Sequence, residues 1–162
     1  MEAGDVIIAQ AESAAHLGAV RDLWREYWES FSLPLEFQGF GEELEGLPGV
    51  YGAAGGALLL AFYKSEPAGT IALRRLDQAS GEVKRLYLRP KHRGHGLGRR
   101  LLEAVMERAA IIGYECLYAD TLPVMMEALS LYQRAGFEQI EPYSKTPTPG
   151  AIYLKRRLKT SP

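Results

Sequence analysis

The chemistry in this sequence is concentrated at Arg93-Gly94-His95-Gly96-Leu97-Gly98. Three glycines so close together permit backbone conformations and close approaches that side chains block. Leu97, Leu101, Leu102, Val105, Met106, Ala109 and Ile112 then recur at helical spacing on one face. A glycine turn that opens a helix offers an anion both unpaired N–H groups and the positive end of the helix dipole. Between Val83 and Leu102 there are seven bases and no acid. The combination suits a phosphate or pyrophosphate. It is not a P-loop, because no Gly-Lys-Ser/Thr ending follows. Nor is it the dinucleotide fingerprint: Arg99 and Leu101 stand where the third glycine would be, counted from Gly94 and Gly96.

Other reactive residue types are scattered. His16, His92 and His95 have no metal-ligand spacing, so no metal is expected. The single cysteine, Cys116, reads as a small strand residue and fits a reducing cytoplasm. Trp24 and Trp28, four apart, read as core that could also line an acceptor pocket. The 162 residues have a net charge of −1 and are 47% hydrophobic, which favours one soluble domain over residues 1–162. No apolar run is long enough to span a bilayer, and the N-terminus lacks an export signal. The near-neutral total hides an asymmetry, since Met1 to Val50 holds ten acids and two bases. A basic run confined to one turn points to one anionic ligand rather than a nucleic-acid track.

These residues need elements to place them. Val6 to Ile8 reads as a strand. Ser13 caps a helix carrying Leu17, Val20, Leu23, Trp24, Tyr27, Trp28 and Phe31, which Leu33-Pro34 breaks. A short helix follows around Glu42 to Leu47, then a loop over Gly49 to Gly56. Strands are expected at Ala57 to Lys64, Ala68 to Leu76 and Glu82 to Leu88, with turns at Ser65-Glu66-Pro67 and Asp77 to Gly81. The helix after the glycine turn ends at Gly113. A strand at Cys116 to Asp120, a helix at Val124 to Ala135 and strands at Phe137 to Ile140 and Ala151 to Leu158 complete the order, the last two separated by a Pro-rich loop. The alternation gives an α/β domain with a mixed sheet.

Taken alone, Arg93-x-x-Gly96-x-Gly98 is a weak signal. The wider pattern adds an apolar strand, Val83 to Leu88, before Arg89-Pro90, and the run Ala128-x-x-Leu131-Tyr132-x-x-x-Gly136-Phe137 after the turn. Together these resemble the GCN5-related N-acetyltransferase (GNAT) family. The resemblance covers essentially the whole chain and is strongest from Glu82 to Phe137. It implies a mostly antiparallel central sheet flanked by helices, with two central parallel strands that splay apart.

The resemblance also implies roles. The amides of Gly94, His95, Gly96, Leu97, Gly98 and Arg99, with Arg93, would hold the pyrophosphate of acetyl-CoA. Leu86, Tyr87 and Leu88 would pair with pantetheine through their backbone. Tyr132 would protonate the leaving thiolate. Glu82 or Asp120 would serve as base for the acceptor amine. Met125 departs from the family, which often has an asparagine there. The implied activity is acetyl transfer in a ternary complex, with acetyl-CoA and an amine acceptor as partners, a homodimer as a compatible assembly, and neither nucleic acid nor a membrane. The rival is a non-catalytic acyl-CoA sensor of the same fold. Glu36, Glu42, Glu43 and Glu45 suggest that the acceptor carries a second positive charge.

Overall fold

Seven strands form one sheet in the order β1-β2-β3-β4-β5-β7-β6. They are β1 (Val6–Gln10), β2 (Ala57–Tyr63), β3 (Glu66–Arg75), β4 (Ser80–Leu88), β5 (Cys116–Thr121), β6 (Glu138–Ile140) and β7 (Ile152–Arg157). Every pairing is antiparallel except β4 with β5. The computed structural model describes residues 3–31, 39–145 and 148–158. The expected helix stop at Leu33-Pro34 and Glu36 lie outside the described residues.

The turns are tighter than the sequence suggests. The β2–β3 turn narrows to Lys64 and Ser65, both with positive φ, and β3 already begins at Glu66. Pro67 is tolerated in that strand because it sits where the β2–β3 register shifts. At the next turn, Asp77 Oδ1 accepts from Ala79 N–H at 2.9 Å. This closes the turn early, so β4 begins at Ser80 rather than Glu82.

Helix α1 (Ala14–Ser30) starts as expected, with Ser13 Oγ accepting from His16 N–H at 3.1 Å. It lies with α2 (Phe40–Glu45) on one sheet face, over a core that includes Trp24, Trp28, Phe40, Tyr51 and Tyr87. Residues Gly49–Gly52, expected as plain loop, form a 3-10 turn, as do Pro90–His92. Helix α3 (Leu97–Ile112) covers the other face, over Leu73, Val83, Leu86 and Leu117, and ends at Gly113 as expected. Helix α4 (Met126–Arg134) begins later than Val124, because Met125 N–H closes a turn onto Leu122 O at 2.8 Å.

Two irregularities shape the middle of the sheet. Thr70 faces Tyr87 and Ala72 faces Lys84, so two residues of β4, Arg85 and Leu86, oppose the single Ile71. This is a β-bulge, and Arg85 takes a left-handed φ of +58° within it. The parallel β4–β5 pairing runs only from Ser80↔Cys116 to Val83↔Ala119. Beyond that point β4 and β5 separate, as the sequence resemblance implies.

Candidate active site

The glycine turn is built by conformation. Gly94 and Gly96 have φ of +83° and +79°, which side-chain-bearing residues rarely adopt. The first backbone bond of α3 runs from Arg100 N–H to Gly96 O at 3.1 Å. The amides of Leu97, Gly98 and Arg99 therefore precede any intrahelical acceptor. Gly98 serves packing: a Cβ there would meet Leu131 Cδ1 at 2.8 Å. His95 is exposed at the tip of the turn.

From this turn a trench runs into the splay. Its outer cavity, about 690 Å³, is walled by Gly94, Gly96, Leu97, Gly98 and Arg99 against Ser130, Leu131 and Arg134 of α4. A second cavity of about 370 Å³ shares Leu88, Arg93, Met126, Glu127 and Leu131 with it and continues along Leu86 and Tyr87 to Tyr27 and Met125. Arg93 sits at the junction, its Nε donating to Leu88 O at 3.0 Å and its guanidinium 5.7 Å from the Tyr87 ring. A third, inner cavity of about 30 Å³ lies beyond, lined by Tyr27, Trp28, Lys84, Arg85, Asp120, Thr121, Leu122 and Met125. The glycine turn, the three β4 residues and Asp120 thus lie along one path.

The two candidate bases occupy different environments. Glu82 is 3% exposed. Its Oε1 accepts from Arg74 Nε at 2.7 Å and lies 3.7 Å from Lys84 Nζ, and its Oε2 accepts from Tyr143 O–H at 2.7 Å. Burial opposes its ionised form, but Lys84, Tyr143 and Arg74 together hold its carboxyl below the usual carboxylate range. Asp120 is half-buried and lines the inner cavity, and its carboxylate makes no hydrogen bond or ion pair among the described residues. Its charge helps raise the pKa values of Tyr27, Tyr132, Tyr143 and Tyr153, behind burial as the main cause in each. A carboxylate already engaged by three partners is the poorer proton acceptor. A structural role for Glu82 has a measurable consequence. Glu82→Gln should cost about 1–3 kcal/mol at neutral pH. Because the folded carboxyl titrates below its unfolded value, wild type holds this advantage above roughly pH 4 and loses it as the pH falls further. Thermal melts of both proteins from pH 7 to pH 3 should converge at the acid end.

Tyr132 is 3% exposed, on α4, and lines none of the three cavities, although its neighbours Ala128 and Leu131 line the second. Gly136, at φ +95°, turns the chain so that Phe137 N–H reaches Tyr132 O at 3.0 Å. The two rings then pack 5.2 Å apart, which is the physical content of the Tyr-x-x-x-Gly-Phe spacing. Burial, then the charges of Tyr27, Asp120 and Glu82, push its phenol far above its ordinary pKa. It stays protonated at neutral pH.

Sequence reasoning missed three participants. Tyr27, read as core, ends the trench, with its pKa pushed up to about 12 by burial first. Tyr143 comes from the Pro-rich loop, where no periodicity announces it. Arg85 is buried against Trp28 and Phe40, at 4.9 and 5.3 Å, and paired with Glu43 at 2.8 Å. That pair, with the Tyr51 hydroxyl on the same carboxylate, corrects the expectation that Glu43 attracts a cationic acceptor. Glu42 and Glu45 are simply exposed. Trp28 is core and also lines the inner cavity. Among the described residues no His/Cys/Asp/Glu group could hold a metal ion, and no helix is long and apolar enough to cross a membrane.

Comparison with known proteins identifies the family and the fold. The sequence profile of the Acetyltransferase (GNAT) family matches residues 19–137. An uncharacterized N-acetyltransferase of Schizosaccharomyces pombe is 31% identical over 160 residues, covering 98% of each chain. An acetyltransferase of Streptococcus agalactiae superposes with a TM-score of 0.81 at 23% identity, covering 95% of this chain and 99% of that one. A Salmonella typhimurium chain solved with its cofactor acetyl-CoA superposes at 0.67 and 17% identity, covering 96% and 95%. With a turn, a splay and a motif helix that agree with the profile match, the chain belongs to the acetyltransferase (GNAT) family.

Proposed function

We propose that this protein transfers the acetyl group of acetyl-CoA to a primary amine of a small molecule or peptide, by direct attack in a ternary complex in the cytoplasm. The observation that carries the reading is the trench that runs from the glycine turn through the splay, with Asp120 in the inner cavity just beyond its end. Acetyl-CoA supplies an acetyl group activated as a thioester. The amides of Gly94 to Arg99 face its pyrophosphate, with Arg93 beside them. The unpaired edge of Leu86, Tyr87 and Leu88 offers backbone partners to pantetheine, as a strand would. A backbone N–H at the bulge polarises the thioester carbonyl.

Asp120 takes the proton that the bound ammonium must lose to become a nucleophile, directly or through water, and the neutral amine then forms the new C–N bond. Tyr132 gives its proton to the sulfur as the C–S bond breaks. Its match to the family's motif supports this role, and its neutral phenol at pH 7 is compatible with it. Glu82 acts here as the anchor of Arg74 and Tyr143. The test is a melting-temperature rise with acetyl-CoA, followed by CoA release across amines, amino acids, polyamines, aminoglycosides and peptides. Stabilisation with CoA release for one amine class is expected. Stabilisation with no release for any acceptor would favour the non-catalytic sensor.

A further inference from the structure

Tyr27 and Met125 are the two residues shared by the second cavity and the inner cavity. They come from opposite sides of the trench, Tyr27 from α1 and Met125 from the N-cap of α4. The Tyr27 hydroxyl donates to Met125 Sδ at 3.2 Å, so the two side chains close a bar across the passage. One jaw is fixed. The Tyr27 ring is stacked on Tyr87 at 5.3 Å and held edge-on by Trp28 at 5.8 Å and Phe31 at 5.5 Å. The other jaw is an unbranched thioether, able to shift but bulky. Behind the bar the inner cavity is about 30 Å³, room for only one or two water-sized groups.

We propose that the Tyr27–Met125 pair sets the acyl length this protein accepts. The inference rests on the acyltransferase reading and adds a specificity-determining pair to it. An acetyl group seats its carbonyl at the bulge with its methyl against the bar, on the near side of the inner cavity. Each further methylene meets the Tyr27 ring, which aromatic packing on three sides prevents from yielding. Met125, whose position often holds an asparagine in the resembling family, is the part of the wall that a substitution can remove.

The experiment measures kcat/KM for acetyl-, propionyl- and butyryl-CoA at one saturating amine, with melting-temperature shifts for each donor. Wild type should lose roughly 10- to 200-fold for the first added methylene. Met125→Ala should raise the butyryl-to-acetyl ratio by about tenfold or more, the worth of a methylene-sized space. Met125→Leu, which keeps the volume and removes the sulfur, should keep the wild-type ranking, and the melting temperature of each variant without ligand reports its folding. Equal turnover of the three donors by wild type overturns the inference. So does an unchanged ratio in a folded Met125→Ala protein that still gains stability from acetyl-CoA. Failure of wild type to be stabilised by any of the three instead overturns the acyltransferase reading itself.

Discussion

Asp120→Asn should lower turnover of the amine acceptor by about 10²- to 10⁴-fold, the usual worth of a positioned base. The melting-temperature rise with acetyl-CoA should survive, because the carboxylate lies beyond the part of the trench assigned to the cofactor. The pH dependence separates this loss from damage to the fold. Asn cannot accept a proton, so only amine that is already neutral reacts. That fraction grows about tenfold per pH unit below an amine pKa of roughly 10.4 for a lysine-like acceptor, so the deficit should shrink as the pH rises. Tyr132→Phe should give a loss that raising the pH does not repair, since what it removes is a donor to the sulfur. Stopped assays of CoA release from pH 6.5 to 9.5 read both. An Asp120→Asn protein with wild-type turnover would return the base to water or to Glu82.

Gly96→Val should abolish the stabilisation by acetyl-CoA and leave a folded protein. At φ +79° an L-residue costs about 1–2 kcal/mol, and a β-branched one is worse placed still. A Cβ at Gly96 would meet nothing within 4 Å among the described residues, so no clash with them adds to that strain. What changes is the ligand's side: a branched side chain stands where backbone amides must approach phosphate oxygens. Donor at a hundred times its Kd should stabilise wild type by about 2.7 kcal/mol, which for a chain of this size is a shift of roughly 5–10 °C. The valine variant should shift by less than about 1 °C. Retention of the full shift would remove the glycine turn from the binding site.

The donor half of the site was legible because it is written locally. The turn needs glycine at two left-handed positions, and the Tyr132–Phe137 contact needs Gly136, so residue type and spacing report the geometry. The acceptor half was not, because its partners meet across long separations. The acidic first third and the basic run after Val83 read as two separate fields. In the fold they partly neutralise each other: Glu26 binds Arg89 in a two-pronged pair at 3.0 and 2.7 Å, and Glu43 binds Arg85. Lys91 pairs with Glu66 at 2.5 Å. Net charge per segment said nothing of these pairings, so the cationic-acceptor reading lost its carboxylate at Glu43. The choice between Glu82 and Asp120 was not legible for a related reason. Only the folded sheet shows that Arg74 stands opposite Glu82 and that the Tyr143 loop closes over it.

Arg85 also bears on how this protein could be re-engineered. Its carbonyl accepts from the Thr70 hydroxyl at 3.1 Å, and that hydroxyl accepts in turn from Trp24 Nε1 at 3.0 Å. Its guanidinium ends on Glu43. The strained bulge at the centre of the donor site is therefore clamped by two residues from the N-terminal third. The two halves are not interchangeable cassettes. A graft replacing the segment around α1 and α2 with one chosen for another amine would leave a buried cation without its counter-ion. It would also leave Thr70 without its indole donor. A working chimera has to carry a carboxylate to the place of Glu43 and an indole to that of Trp24, or else recode Arg85 and accept a different bend in β4.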